Sequence, residues 1–176
     1  MKKWFVGGAL FLAGVLSLGA VNAFFEYTST TEFCTSCHTM QWNKAEWAET
    51  VHFKNRVGVK AECRDCHVPQ EFFPKTVAKV MAVKDIYHHL VGTIDTKEKF
   101  EAHRWVMANR VWAKMKETNS RECRTCHEFG DMDLTLQGRS AQRKHEKAPM
   151  EGKTCIDCHK GIAHRLPEEP KGASGS

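Results

Sequence analysis

The chain has 176 residues, with 26 Lys and Arg against 21 Asp and Glu and a formal charge of +5. That length allows one domain or two small ones. The mild basic excess, with no stacking or groove-reading motif beside it, excludes a nucleic-acid binder.

In chain order the first element is apolar. Trp4 to Phe25 is a run of 22 residues without a charge, about 33 Å long as a helix and enough to cross a bilayer core. Lys2 and Lys3 ahead of it favour a cytoplasmic start. A cleaved signal peptide competes, because Val21-Asn22-Ala23 resembles a cleavage site, but the apolar run is longer than such segments use. The sequence predicts an uncleaved anchor over 1–27. Ala9, Ala13 and Ser17 form a small-residue row that could pair two copies as a homodimer, although lipid-facing small residues explain it as well.

Three main helices are expected after the anchor: Met40–Phe53, Pro74–Leu90 with Pro74 near its start and Gly92 as its stop, and Lys97–Glu117. No run alternates as a strand would. The predicted fold is therefore mainly α, with little or no sheet. The end, "LPEEPKGASGS", reads as a loose polar tail over 169–176.

The eight cysteines decide the chemistry. They form four C-x-x-C pairs, Cys34/Cys37, Cys63/Cys66, Cys123/Cys126 and Cys155/Cys158, each followed at once by a histidine: His38, His67, His127 and His159. Disulfides give no reason for the four histidines. Zinc could use the pairs, and a thioredoxin-like site would use one pair in a βαβ setting that is absent. Repeated four times, C-x-x-C-H is the attachment motif of a c-type haem. Two thiols add to the porphyrin vinyl groups, the two intervening residues form one tight turn, and the next imidazole projects onto the iron. Four haems would bring about eight propionates and turn the net charge to roughly −3. The pairing 34/63 and 123/155 suggests two dihaem halves, about 28–95 and 96–168. Such a domain cannot wrap each porphyrin in its own pocket, so the haems become much of the core.

Low-spin haems need a sixth ligand. Six histidines lie outside the motifs: His52, His88, His89, His103, His145 and His164. His52 and His145 sit at comparable places after the first motif of each half, and His164 follows the last motif closely; these three are the candidate distal ligands. His88 and His89 are adjacent on a helix and cannot both face one iron, and His103 suits a propionate hydrogen bond. Three distal histidines for four haems leave one short. At the first motif, "FCTSCHTM", the ligand stays open between His38 and Met40, since thioether sulfur also binds haem iron.

"FCTSCHTM", "VKDIY", "DTKEKFEAHR", "ECRTCH" and "TCIDCHKGIAH", in that order behind one anchor, resemble the NapC/NirT family of membrane-anchored tetrahaem quinol dehydrogenases, and within it the NapC branch. The resemblance covers about residues 1–168. It implies an inner-membrane protein with its haem domain in the periplasm, which oxidises menaquinol or ubiquinol and passes electrons to a periplasmic terminal reductase or its cytochrome subunit. Nitrate reductase is the implied acceptor. It also implies that Met40 binds the first iron, that Asp85 lies over its other face, and that Lys79 helps bind quinol. Distal ligands fall on His52, His145 and His164. One departure is Gln70, where some NapC-like chains have histidine. Lys153, Lys160 and Arg165 are candidate docking residues for the acceptor. Rival readings are a non-catalytic electron shuttle, a donor to nitrite, trimethylamine-oxide or sulfoxide reductases, and a haem-based sensor.

Overall fold

The computed structural model describes residues 2–170; the rest of the expected tail lies outside them. Among the described residues every regular element is helical, as the patterns predict. Helix α1, Lys2–Tyr27, has no buried residue. Its apolar run is exposed on all sides until the exit, where Phe25 meets Phe72 and Glu26 pairs with Arg64 and Lys75, as expected of a helix whose main partner is lipid. Its end is closed by consecutive hydroxyls. Thr28 Oγ1 donates to Phe24 O at 2.8 Å, Ser29 Oγ to Phe25 O at 2.6 Å and Thr30 Oγ1 to Tyr27 O at 2.9 Å. These occupy carbonyls that a helix terminus leaves unpaired.

The first cysteine of each motif lies in a short helix: α2 (Thr31–Cys34), α4 (Cys63–His67), α8 (Arg121–Arg124) and α10 (Cys155–Cys158). In α4 and α10 the aspartate inside the motif caps its own turn. Asp65 accepts from Glu62 N at 2.7 Å, and Asp157 accepts from Thr154 N at 2.9 Å. A latch then joins the two motifs of each half. Thr31, three residues before Cys34, donates its hydroxyl to Glu62, just before Cys63. Ser120, three residues before Cys123, accepts from Thr154 Oγ1 at 2.7 Å and from Ile156 N at 3.1 Å. Ser120 is fully buried in left-handed backbone at φ 49°, a strained conformation for a non-glycine residue that aims its hydroxyl at both donors.

Two helices depart from expectation. The stretch read as Met40–Phe53 is helical only over α3, Gln41–Ala48, after a short 3-10 turn at His38–Met40. Thr50 Oγ1 donates to Trp47 O at 2.8 Å, Trp47 Nε1 to Ala61 O at 3.0 Å and Ala61 N to His52 O at 2.9 Å. Tertiary bonds thus draw residues 50–53 out of the helix. The stretch read as Pro74–Leu90 is two helices, α5 (Phe72–Met81) and α6 (Val83–Leu90), broken at Ala82. Pro74 is the third residue of α5, still in the first turn, where its missing N–H has no helical partner to lose. Gly92 does stop α6, at φ +72°, and a Cβ there would lie 2.8 Å from Asp95 Oδ2. Helix α7, Lys97–Glu117, matches its predicted bounds, with Thr96 capping Lys99 N at 3.3 Å. Helix α9 covers Arg139–Lys147.

Of the described apolar side chains only Trp47, Phe100 and Ile156 are buried. A domain of this size stabilised by protein packing alone would bury far more, so its interior fits one shared with large apolar groups.

Candidate haem and redox site

Each motif histidine faces a histidine from outside the motifs. Ring centroids are 6.3 Å apart for His52 and His127, 6.2 Å for His67 and His164, and 5.9 Å for His145 and His159. Two imidazoles on opposite sides of one iron bring their centroids about 6 Å apart, given metal–nitrogen bonds of about 2.0 Å. Nδ1 of His52 and of His164 is buried without a hydrogen-bond partner, which suits groups shaped to hold something besides protein. Burial pushes His67 down to about 4 and also lowers His164, against the pull of Glu46. Both imidazoles are therefore neutral at pH 7, as iron ligation requires. The residues present fit covalent haem: two thiols, a motif imidazole and a second imidazole at three of the four motifs. The eight cysteines form no disulfide.

The pairs cross the expected halves. His67 meets His164 of the second half, and His52 meets His127. The thiols follow chain order: Cys34 feels Cys63, Cys66 feels Cys123 and Cys126, and Cys123 feels Cys155, with burial the larger influence in each case.

The first motif differs. His38 Nε2 lies 2.9 Å from the Asp95 carbonyl, so the nitrogen that would reach iron already has a partner. Its ring is 5.4 Å from His89, closer than the other pairs and tilted by 52°. Met40 Sδ has one weak partner, Asn43 Nδ2, at 3.8 Å. The sequence passed over His89. Its ring is half-buried with an orphaned Nδ1, whereas His88 is exposed against Thr93 and His103 bonds to Lys99 O on its own helix. The i, i+4 spacing of Asp85 and His89 was the available signal.

Lys79 and Asp85 are not joined by a hydrogen bond or ion pair. Lys79 Nζ donates to Thr28 O at 2.8 Å and to Thr28 Oγ1 at 3.0 Å, leaving one ammonium N–H free. Burial lowers its pKa, opposed by the nearby Cys34. Asp85 is exposed in the first turn of α6.

The segment carrying His164 is clamped. Arg104, almost fully buried, binds Glu46 at 2.7 and 2.9 Å, Glu101 at 2.7 and 3.0 Å, and Arg165 O at 3.4 Å. Glu46 also accepts from Arg165 N at 3.1 Å and lies 4.0 Å from His164 Nδ1. Burial opposes the Arg104 charge, but Glu101 and Glu46 outweigh it and hold the guanidinium above its ordinary value. Arg104→Ala is expected to cost about 3 kcal/mol by removing the buried partner of two carboxylates and leaving them only the exposed Arg165, read as a lower denaturation midpoint of the haem-loaded protein. Arg104→Lys should recover only part of this, since lysine lacks the planar fork. Of the candidate docking residues, Arg165 is engaged with Glu46 and Glu101, Lys153 with Glu151, and Lys160 lies over the Trp112 ring.

The family model described as NapC/NirT cytochrome c family, N-terminal region, matches residues 1–169. A putative tetraheme cytochrome-c type protein of Allochromatium vinosum is 54% identical over 167 residues, 95% of this chain and 91% of that protein. Cytochrome c-type protein NapC of Escherichia coli is 50% identical over 159 residues, 90% of this chain and 80% of that protein. The denitrification system component NirT of Stutzerimonas stutzeri is 48% identical over 170 residues, 94% of this chain and 85% of that protein. No solved structure matches the chain.

Proposed function

The chain belongs to the NapC/NirT cytochrome c family, and from that premise we propose that it is a tetrahaem quinol dehydrogenase of the inner membrane that feeds a periplasmic reductase. The observation that carries this reading is the set of three imidazole pairs at iron-spanning separation beside a fourth, dissimilar motif at the foot of a lipid-length helix. The amino terminus lies in the cytoplasm, as Lys2 and Lys3 favour, and the domain 28–168 in the periplasm.

When bound, the haems supply one-electron chemistry and relay electrons away from the membrane. The chain's own residues do the rest. Cys34, Cys37, Cys63, Cys66, Cys123, Cys126, Cys155 and Cys158 tether the porphyrins. His67 with His164, His127 with His52, and His159 with His145 would hold three irons. Met40 would hold the first; the turn of His38 Nε2 to the Asp95 carbonyl supports this over His38. Asp85 takes the proton from a quinol hydroxyl. The free N–H of Lys79 donates to the quinol's other oxygen. Likeness to the NapC branch in "TCIDCHKGIAH" and "DTKEKFEAHR" points to nitrate reductase as acceptor. The similarity to the denitrification system component NirT supports a nitrogen-oxide acceptor more broadly.

Spectroscopy of the purified protein with and without a quinol analogue tests the reading. One high-spin haem should respond to the analogue; four low-spin haems, all unmoved, would end the quinol-site assignment. Met40→His should turn the first haem low-spin and stop quinol oxidation, while the other three spectra stay unchanged. A first haem with wild-type spectrum would remove Met40 from the iron.

A further inference from the structure

Helix α6 has two unlike sides. At 100° per residue, Val83, Ile86, Tyr87 and Leu90 fall in one sector, and Asp85 and His89 fall opposite. The His89 side faces the protein, because its ring approaches His38 and its Nδ1 is buried. The apolar side must then point outward, and it is open: Leu90 is 78% exposed, and Val83, Ile86 and Tyr87 are each about 60% exposed. Bare strips of large apolar side chains on a surface mark an interaction site.

The neighbours identify the occupant. Helix α5 grips the exit of α1 at three points. Phe72 meets Phe25 with centroids 6.5 Å apart, Lys75 Nζ is 3.4 Å from Glu26 Oε1, and Lys79 holds Thr28. Val83 follows Lys79 by only four residues, about 6 Å of helix. The open face of α6 therefore begins beside the place where α1 leaves its apolar span. Tyr87 has a polar tip suited to headgroups, and Lys84 flanks the strip with a stem that can reach lipid phosphate.

We propose that α6 lies in the bilayer surface, with Val83, Ile86, Tyr87 and Leu90 inserted at the headgroup–acyl boundary as a second membrane contact beside the anchor. This contact rests on the anchor but not on the quinol reading. It would hold Asp85 and His89, on the opposite side of the same helix, within reach of the membrane surface.

The test uses the full haem-loaded chain in phospholipid nanodiscs containing a lipid with a diazirine in its acyl chain. After irradiation, lipid adducts located by mass spectrometry are expected on α1 and also on residues 83–90. In the double variant Ile86→Glu/Leu90→Glu the adducts on 83–90 should fall at least fivefold, with those on α1 and the haem spectra unchanged. Adducts confined to α1 in the wild-type chain would overturn the proposal. The wild-type map decides even if the variant fails to fold.

Discussion

Replacing His164 with alanine is expected to leave four haems attached yet open the iron of the haem at Cys63 and Cys66, not that of the haem at neighbouring Cys155 and Cys158. His164 follows His159 closely in sequence, but its ring meets His67, while His159 meets His145. Axial ligands move haem potentials over a range of about 0.8 V. Losing an imidazole should shift this one haem by on the order of 0.1 V, nearly two decades in the equilibrium between adjacent haems, since 59 mV is tenfold for one electron. On the proposed function the second haem would stand between quinol and acceptor, so electron delivery should collapse. Paramagnetic resonance would show one low-spin signal replaced by a high-spin one. If the signal lost belonged to the haem at Cys155 and Cys158, the crossed pairing would be wrong.

That crossing is what the sequence could not disclose. The four C-x-x-C-H words and the apolar run of α1 are local signals, and so is α7, whose cap Thr96 and helical aromatics stand in the text of the chain. Which histidine meets which motif is set by the packing of α4 on α8 and α7 on α10, contacts with no local pattern. The Glu46–Arg104 clamp is equally silent, since a charge on a helix reads as solvated until its partner from another helix is known. The bonds of Trp47 and His52 to Ala61, which end α3 early, have no local pattern either. The break at Ala82 had no breaker residue to announce it: Asp85 N and Ile86 N both turn to the Ala82 carbonyl, at 3.0 and 3.3 Å. Other features do have a local signature. The hydroxyls of Thr31 and Ser120, each three residues before the first motif of a half, would have emerged from aligning the halves on their motifs. The shared face of Asp85 and His89 follows from their spacing alone.

Asp85→Asn is expected to lower quinol oxidation by about 10²–10⁴-fold, the range for loss of a positioned proton acceptor, with four haems attached and their spectra unchanged. Asparagine keeps the shape and one carbonyl oxygen but cannot take the proton. The loss should therefore appear in kcat more than in KM, because quinol still finds its place. Lys79→Met gives the contrast. In the proposed mechanism Lys79 acts through a donated hydrogen bond, so its removal should raise KM more than it lowers kcat. Thr28, which now accepts two of its bonds, would lose them without further disruption, since neighbouring carbonyls of the α1 terminus keep their hydroxyl donors. The two variants separate proton removal from binding in one assay, using a quinol and an artificial electron acceptor so that no reductase docking intervenes. Turnover of Asp85→Asn within about threefold of wild type, far below the acid–base range, would take Asp85 out of the mechanism. The proton would then have to leave by another group on the same side of α6, and His89, with its buried unpartnered Nδ1, is the one the helix places there.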